Sequence, residues 1–299
     1  MKQPIFTGLA TAIITPFKGG MVDYHALSRQ LDFQLAEGVD AIVVCGTTGE
    51  ASTMSYHERM RTIEYCAEHL AGRIPLIAGS GSNSTENAVA LSRDARRSGA
   101  DALLTVTPYY NKATQAGLIR HFSVIADAVD IPLILYSVPS RTGVAITPET
   151  YAVLARHGNI AGTKEASGNF TTVQRTLSLC PPDFSVWSGN DDETVPIWAL
   201  GGRGVISVAS NLIPDKMKRL TTLCRSGDLA AAGRLQVELK NFIDMLFCEV
   251  NPIPVKTAMA EMGWDYGELR LPLCKPTEEH LTLIRKTLAD YNLYAEKEE

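Results

Sequence analysis

Pro132-Leu133-Ile134-Leu135-Tyr136 and Ile160-Ala161-Gly162-Thr163-Lys164 are two short apolar runs, and between them Thr147 and Pro148 open a helix, with proline in its first turn. A strand, a helix and a second strand in this order make a parallel pair, because the chain must cross back through the helix before the second strand can start. The unit recurs in both directions. Further runs at Leu9–Thr15, Ala41–Cys45, Pro75–Ala78, Ala102–Val106, Phe184–Trp187 and Gly204–Val208 bring the candidate strands to eight. Helical spacing fills the gaps: Leu27, Leu31 and Leu35 recur every four residues, and Leu118, Phe122, Ile125 and Val129 step by four, three and four. Ser55 with Glu58 forms a capping-box pattern, and Asn83 with Glu86 repeats it. Eight such units predict an α/β fold, a closed (β/α)8 TIM barrel over residues 1–227. Residues 228–299 hold no strand-like run and predict a C-terminal helical extension, with helices at about 228–249, 252–262 and 276–291. The alternative is an open doubly wound sheet. Against it, no Gly-x-Gly-x-x-Gly follows the first strand, and Gly79-Ser80-Gly81 is too short a match.

The bulk properties suit a globular protein. The chain has 299 residues, 45% hydrophobic and 20% charged, with a net charge of −5. Such a chain can bury a large core. The mild acidity and the lack of a Lys/Arg run argue against nucleic acid as a partner. No run nears the ~18 apolar residues of a membrane helix, and Leu9–Ile14 reads as a strand rather than a signal core, so a cytoplasmic protein is expected. Cys45, Cys66, Cys180, Cys224, Cys248 and Cys274 form no C-x-x-C pair and read as reduced thiols. The histidines His25, His57, His69, His121, His157 and His280 have no metal spacing and read as solvated or capping residues. With no Walker loop either, neither metal nor nucleotide is indicated.

In a barrel of this kind, chemistry sits at the C-terminal strand ends. Strand six ends in Gly162-Thr163-Lys164-Glu165-Ala166-Ser167, which aims a lysine into the barrel mouth. Burial there would favour the neutral amine, the form that attacks a ketone, although a surface lysine or a salt bridge would also fit the spacing. Strand five ends in Tyr136, followed by Ser137-Val138-Pro139-Ser140-Arg141-Thr142-Gly143. The phenol could shuttle protons and Arg141 could grip a carboxylate, or the two could be a core tyrosine and a solvated arginine. Gly46-Thr47-Thr48-Gly49-Glu50 after strand two could bind an anion or be an ordinary tight turn. Thr107-Pro108-Tyr109-Tyr110-Asn111 after strand four places two aromatics where packing or an interface is usual.

Together with Asn251-Pro252-Ile253-Pro254-Val255-Lys256 and Leu269-Arg270-Leu271-Pro272-Leu273, these stretches resemble the pyruvate-dependent, Schiff-base-forming aldolases. Within that family of N-acetylneuraminate lyases and dihydrodipicolinate synthases, the match is closer to the synthase branch. It runs from about Phe6 to about Leu293. The resemblance implies that Lys164 forms the Schiff base and that Tyr136 transfers protons. It implies that Thr47 links Tyr136 to Tyr110, and that Tyr110 reaches into a neighbouring subunit's site. Thr48 would hold the pyruvate carboxylate, Arg141 the carboxylate of L-aspartate 4-semialdehyde, and Gly189 and Ile206 would line the pocket with carbonyls. The implied reaction is an aldol condensation giving 4-hydroxy-tetrahydrodipicolinate, on the diaminopimelate route to lysine. It needs no cofactor, and the family implies a homotetramer built as a dimer of dimers.

Two departures stand out. Ser137 replaces the usual asparagine, which should not touch the mechanism. Lysine-inhibited relatives carry two histidines and a glutamate in an interface pocket, where this chain has Tyr56, Arg59 and Asn87. Two other readings remain: an aldolase acting on a sialic acid or a 2-keto-3-deoxy sugar acid, and a non-catalytic barrel that binds a keto acid. Arg141 speaks against the first, and the set Lys164, Tyr136, Thr47 and Tyr110 against the second.

Overall fold

In the computed structural model, which describes residues 2–264, 266 and 268–293, all eight candidate runs become strands. They are β1 Gly8–Ala12, β2 Ala41–Val44, β3 Leu76–Gly79, β4 Ala102–Val106, β5 Leu133–Ser137, β6 Ile160–Glu165, β7 Ser185–Ser188 and β8 Gly204–Ser207. Every neighbour pairs in parallel, and β1 pairs with both β2 and β8, so the sheet closes on itself. Helices Tyr24–Ala36, Tyr56–Leu70, Thr85–Arg97, Gln115–Asp127, Pro148–Leu154, Phe170–Leu179, Thr194–Ala199 and Pro214–Ser226 follow the strands in turn. The expected (β/α)8 barrel is therefore present.

The two-residue period of each strand divides its side chains between two cores. In β5, Leu133 and Leu135 face the helices, whereas Ile134 and Tyr136 face the barrel interior. The interior is closed on its N-terminal side by Phe6 and Trp187. Their rings stack with centroids 5.1 Å apart, and the indole N–H donates to the Phe6 carbonyl at 3.2 Å. Gly162 makes room for this plug, since a Cβ there would lie 2.0 Å from the Ser185 carbonyl oxygen and 2.9 Å from the Trp187 ring. The floor is filled, so open space is left at the C-terminal mouth.

Local details differ from the sequence expectations. The first strand ends at Ala12 rather than Thr15, because the Ile14 N–H is taken by the Asn211 side chain at 3.1 Å instead of by a strand neighbour. A hairpin of Phe17–Lys18 and Met21–Val22 follows it. The Ser55–Glu58 capping box forms, and Thr147 caps the helix that Pro148 starts. The cap of Thr85–Arg97 is Ser84, not Asn83: the Ser84 hydroxyl accepts from the Asn87 N–H at 3.4 Å, while the Asn83 carbonyl is used by Asn111. His121 is neither solvated nor a cap. It is buried, with Nδ1 2.9 Å from the Thr85 hydroxyl, and desolvation pulls its pKa down to about 4.

After Gly227 the chain runs through helices Leu229–Glu238, Lys240–Met245, Ile253–Glu261 and Glu278–Asp290. The helix expected at about 228–249 is thus divided at Leu239. Residues 294–299 of the expected extension lie outside the described residues. The extension packs back on the barrel mouth through a buried ion pair. Lys256 Nζ lies 2.7 Å from Glu50 Oε1, both side chains fully inaccessible, and it also donates to the Thr15 carbonyl at 3.0 Å.

Candidate active site

A cavity of about 530 Å³ opens at the C-terminal mouth, within the range of small-ligand sites. Strands β5 and β6 supply its centre. Tyr136 and Lys164 are direct partners in the parallel register, so both side chains fall on the inward face. Lys164 is 5% exposed and its Nζ lies 4.6 Å from the Tyr136 ring centroid. Gly189 permits this: a Cβ there would sit 3.0 Å from Lys164 Cε and 2.7 Å from the Ala166 Cβ. Glu165, next in the strand, points outward, where its carboxylate accepts from the Tyr151 hydroxyl at 3.0 Å and the Ser167 N–H at 2.9 Å. Ser137 points the same way, and its hydroxyl accepts from the Ile146 N–H at 3.4 Å.

Burial dominates the electrostatics. Desolvation pulls the Lys164 ammonium down to about 8, the positive charge of Arg141 adds to this, and the carboxylate of Asp191 opposes it. At pH 7 such an amine is neutral roughly 300 times more often than one at 10.5. Burial likewise pushes the Tyr136 phenol up to about 12, against the pull of Arg141 and a hydrogen bond with the Thr47 hydroxyl. The phenol therefore keeps its proton at neutral pH and can donate it. Asp191 is 1% exposed; its Oδ2 accepts from the N–H groups of Val208 and Ala209 at 3.0 and 3.1 Å, and the Ser207 hydroxyl also bonds to the carboxyl group. Burial raises its pKa, while the hydrogen bonds from Ser207, Ala209 and Val208, and then the charge of Lys164, pull it back. The site thus combines an amine whose neutral, nucleophilic form is made more accessible by burial, a proton-bearing phenol beside it and a buried carboxyl group whose negative charge would favour positive charge on the amine nitrogen. That combination can form and hold an iminium ion.

Two further groups face the cavity. Arg141 stands at its rim with an exposed side chain, and its Nη2 donates to the Asn251 carbonyl at 3.4 Å. Thr48 is 3% exposed and its hydroxyl accepts from Asn251 Nδ2 at 3.0 Å. Among the described residues, no cluster of three or more His, Cys, Asp or Glu could hold a metal ion.

Residues 5–291 match the model of the dihydrodipicolinate synthetase family. The chain belongs to the dihydrodipicolinate synthetase family. The 4-hydroxy-tetrahydrodipicolinate synthase of Acetivibrio thermocellus is 50% identical over 293 residues, covering 98% of this chain and all of the relative. That of Caldicellulosiruptor saccharolyticus is 51% identical over 292 residues, covering 97% and 99%. Among solved structures, the dihydrodipicolinate synthase from Aquifex aeolicus superposes with a TM-score of 0.96 at 44% identity, covering 98% of this chain and 100% of the other.

The residues singled out in the sequence separate into two groups. Lys164, Tyr136, Thr47, Thr48, Arg141 and Gly189 all line the one cavity. Ile206 lies deeper, fully buried in the barrel interior, and Val208 is the β8-side residue on the cavity wall. Tyr110 does not line it and is 90% exposed, on a backbone with φ of 71° in the left-handed region, while Tyr109 lines the wall. Asp191 and Asn251 join the site without a sequence signal that marks them as site residues. Asp191 carries no motif signal beyond its place after strand seven. Asn251 opens one of the quoted stretches, yet it follows no strand, and only the packing of the extension brings it to the mouth.

Proposed function

We propose that this chain is a lyase of the 4-hydroxy-tetrahydrodipicolinate synthase type, condensing pyruvate with L-aspartate 4-semialdehyde on the diaminopimelate route to lysine. The observation that carries the reading is Lys164, buried against Tyr136 with its ammonium pulled to about 8. The family and the names of its relatives supply the substrates.

In this reading the neutral Lys164 amine attacks the keto carbon of pyruvate. Tyr136 delivers a proton to the departing oxygen, and water leaves to give the protonated imine. Thr47, hydrogen-bonded to Tyr136, links it to Tyr110 of a neighbouring subunit, and a proton returns to the Tyr136 phenolate along that path. The iminium is the electron sink, so loss of a methyl proton gives the enamine without metal or organic cofactor. The enamine carbon attacks the aldehyde carbon, whose oxygen takes a proton. The semialdehyde's own amine then attacks the imine carbon, closes the ring and expels Lys164. Thr48 holds the pyruvate carboxylate and Arg141 that of the semialdehyde, with carbonyls at Gly189 and Ile206 completing the pocket. Catalysis lies in the barrel, residues 1–227, with 228–299 as its helical extension. The enzyme works in the cytoplasm as a homotetramer, a dimer of dimers; the exposure of Tyr110 and Tyr109 supports a subunit contact at that loop.

Borohydride added with pyruvate should modify one lysine, Lys164, and abolish a coupled activity on pyruvate and aspartate semialdehyde that N-acetylneuraminate does not replace. An adduct mapped to another lysine, or no adduct, overturns the mechanism.

A further inference from the structure

We propose that Asn251 is a positioning residue that sets the polarity of the Thr48 hydroxyl, so that its proton is directed at the carboxylate of pyruvate. The inference rests on the proposed function and extends it to a residue of the C-terminal extension.

A threonine hydroxyl has one proton to give and two lone pairs to receive. Thr48 can therefore meet an anion in two ways, and only with the proton forward is the meeting attractive. Asn251 removes the ambiguity. Its Nδ2 donates to Thr48 Oγ1 at 3.0 Å, which uses a lone pair and leaves the proton with no acceptor behind it. Among the described residues Thr48 Oγ1 has no other hydrogen-bond partner, and the residue lines the cavity. Both residues are buried, Thr48 at 3% and Asn251 at 5% exposure, so bulk water does not compete freely for the hydroxyl. The open side is the cavity, where a carboxylate would be the acceptor.

The Asn251 backbone is held in place: its main-chain carbonyl accepts from Arg141, and five residues on, Lys256 is locked to Glu50. Its side-chain amide is anchored through Nδ2 on Thr48, while Oδ1 is buried with no partner among the described residues. Glu50 Oε2 also accepts the Arg270 N–H at 3.2 Å, and Glu50 lies in the left-handed region at φ 53°. The extension thus grips the Gly46–Glu50 loop at positions 48 and 50, and reaches Arg141 through the same asparagine. One side chain orders the group proposed for the first substrate, and its backbone steadies the group proposed for the second.

A comparison of Asn251→Asp with Asn251→Ala tests this. Aspartate has nearly the same shape but can only accept while ionised, so it would capture the Thr48 proton and turn the lone pairs toward pyruvate. Alanine removes the amide and leaves the hydroxyl free to turn. The pyruvate concentration that half-saturates borohydride trapping, and KM for pyruvate, should rise on the order of 30-fold or more in the aspartate variant and only about 3- to 10-fold in the alanine variant. The order for thermal stability should not follow this pattern, since alanine leaves a cavity. In a Thr48→Val background, which has no hydroxyl to orient, the alanine penalty should disappear and the aspartate penalty should fall to the part that its charge alone imposes on an anionic substrate. If Asn251→Asp does not fold, the cycle of Asn251→Ala with Thr48→Val decides alone: the alanine penalty must disappear when the hydroxyl is gone. An alanine penalty equal to or above that of aspartate, or a penalty unchanged by Thr48→Val, overturns the proposal. Failure of the parent enzyme to trap pyruvate at all would instead strike the Schiff-base reading.

Discussion

Replacing Lys164 by methionine should abolish catalysis and make the protein more stable, by an amount that depends on pH. The side chain is 5% exposed, and desolvation lowers its ammonium from 10.5 to about 8. A buried lysine with a folded pKa below its unfolded one is a cost, not a contribution. Between pH 8 and 10.5 the unfolded chain holds the proton more firmly than the folded one, so wild-type stability rises with pH across that window. Below pH 8 the whole cost is present, and the change to about 8 corresponds to about 3 kcal/mol. Methionine fills a similar channel without a charge and avoids the cost. The variant should therefore be about 3 kcal/mol more stable at pH 7, a rise in Tm of roughly 5 °C for a chain of this length, with the gap closing as pH approaches 10.5. Urea unfolding of both proteins at equal concentration, at pH 7 and near pH 10, measures it. No gain at pH 7, or a gain of the same size at both pH values, would refute the claim that Lys164 is held in an environment that rejects its charge.

Other outcomes follow from the same site. Arg141→Ala should cost about 2–4 kcal/mol of transition-state stabilisation for aspartate semialdehyde, roughly 30- to 1000-fold in kcat/KM, while borohydride trapping of pyruvate continues; unchanged efficiency removes the carboxylate clamp. Tyr110→Phe should lower turnover with the oligomer intact. Mixed with Lys164→Ala subunits it should recover activity, because one site of a hybrid dimer carries neither lesion; confirmed subunit exchange with no recovery would place Tyr110 in its own subunit's chemistry. L-Lysine at millimolar concentration should inhibit weakly or not at all. Arg59, on the wall of the same cavity with its Nη2 donating to the Gly79 carbonyl at 2.8 Å, repels the ligand's ammonium groups, and Asn87 offers no carboxylate to pair them. Losing one charge-assisted hydrogen bond weakens binding about 10- to 150-fold, so half-inhibition below about 1 mM would contradict the assignment.

Apolar periodicity is a local property, and it was enough to locate every barrel strand to within a few residues and to predict that the sheet is parallel. Closure follows from eight such units. The same two-residue period put Tyr136 and Lys164 on the inward face once their strands were known, because alternate side chains have no other choice. Polar contacts between distant loops carry no such period. Ser84 rather than Asn83 as a cap, the early end of β1 at Ala12 and the burial of His121 each depend on which polar atom happens to lie near, and only the folded chain decides that. The site divides in the same way. Its lysine, tyrosine, threonines and arginine sit at strand ends and could be read there. Asp191 owes its place to the Val208 and Ala209 N–H groups after β8, and Asn251 meets Thr48 across 203 residues of sequence. The lowered pKa of Lys164 is likewise a product of burial, which exists only when the barrel has closed and excluded water around the amine.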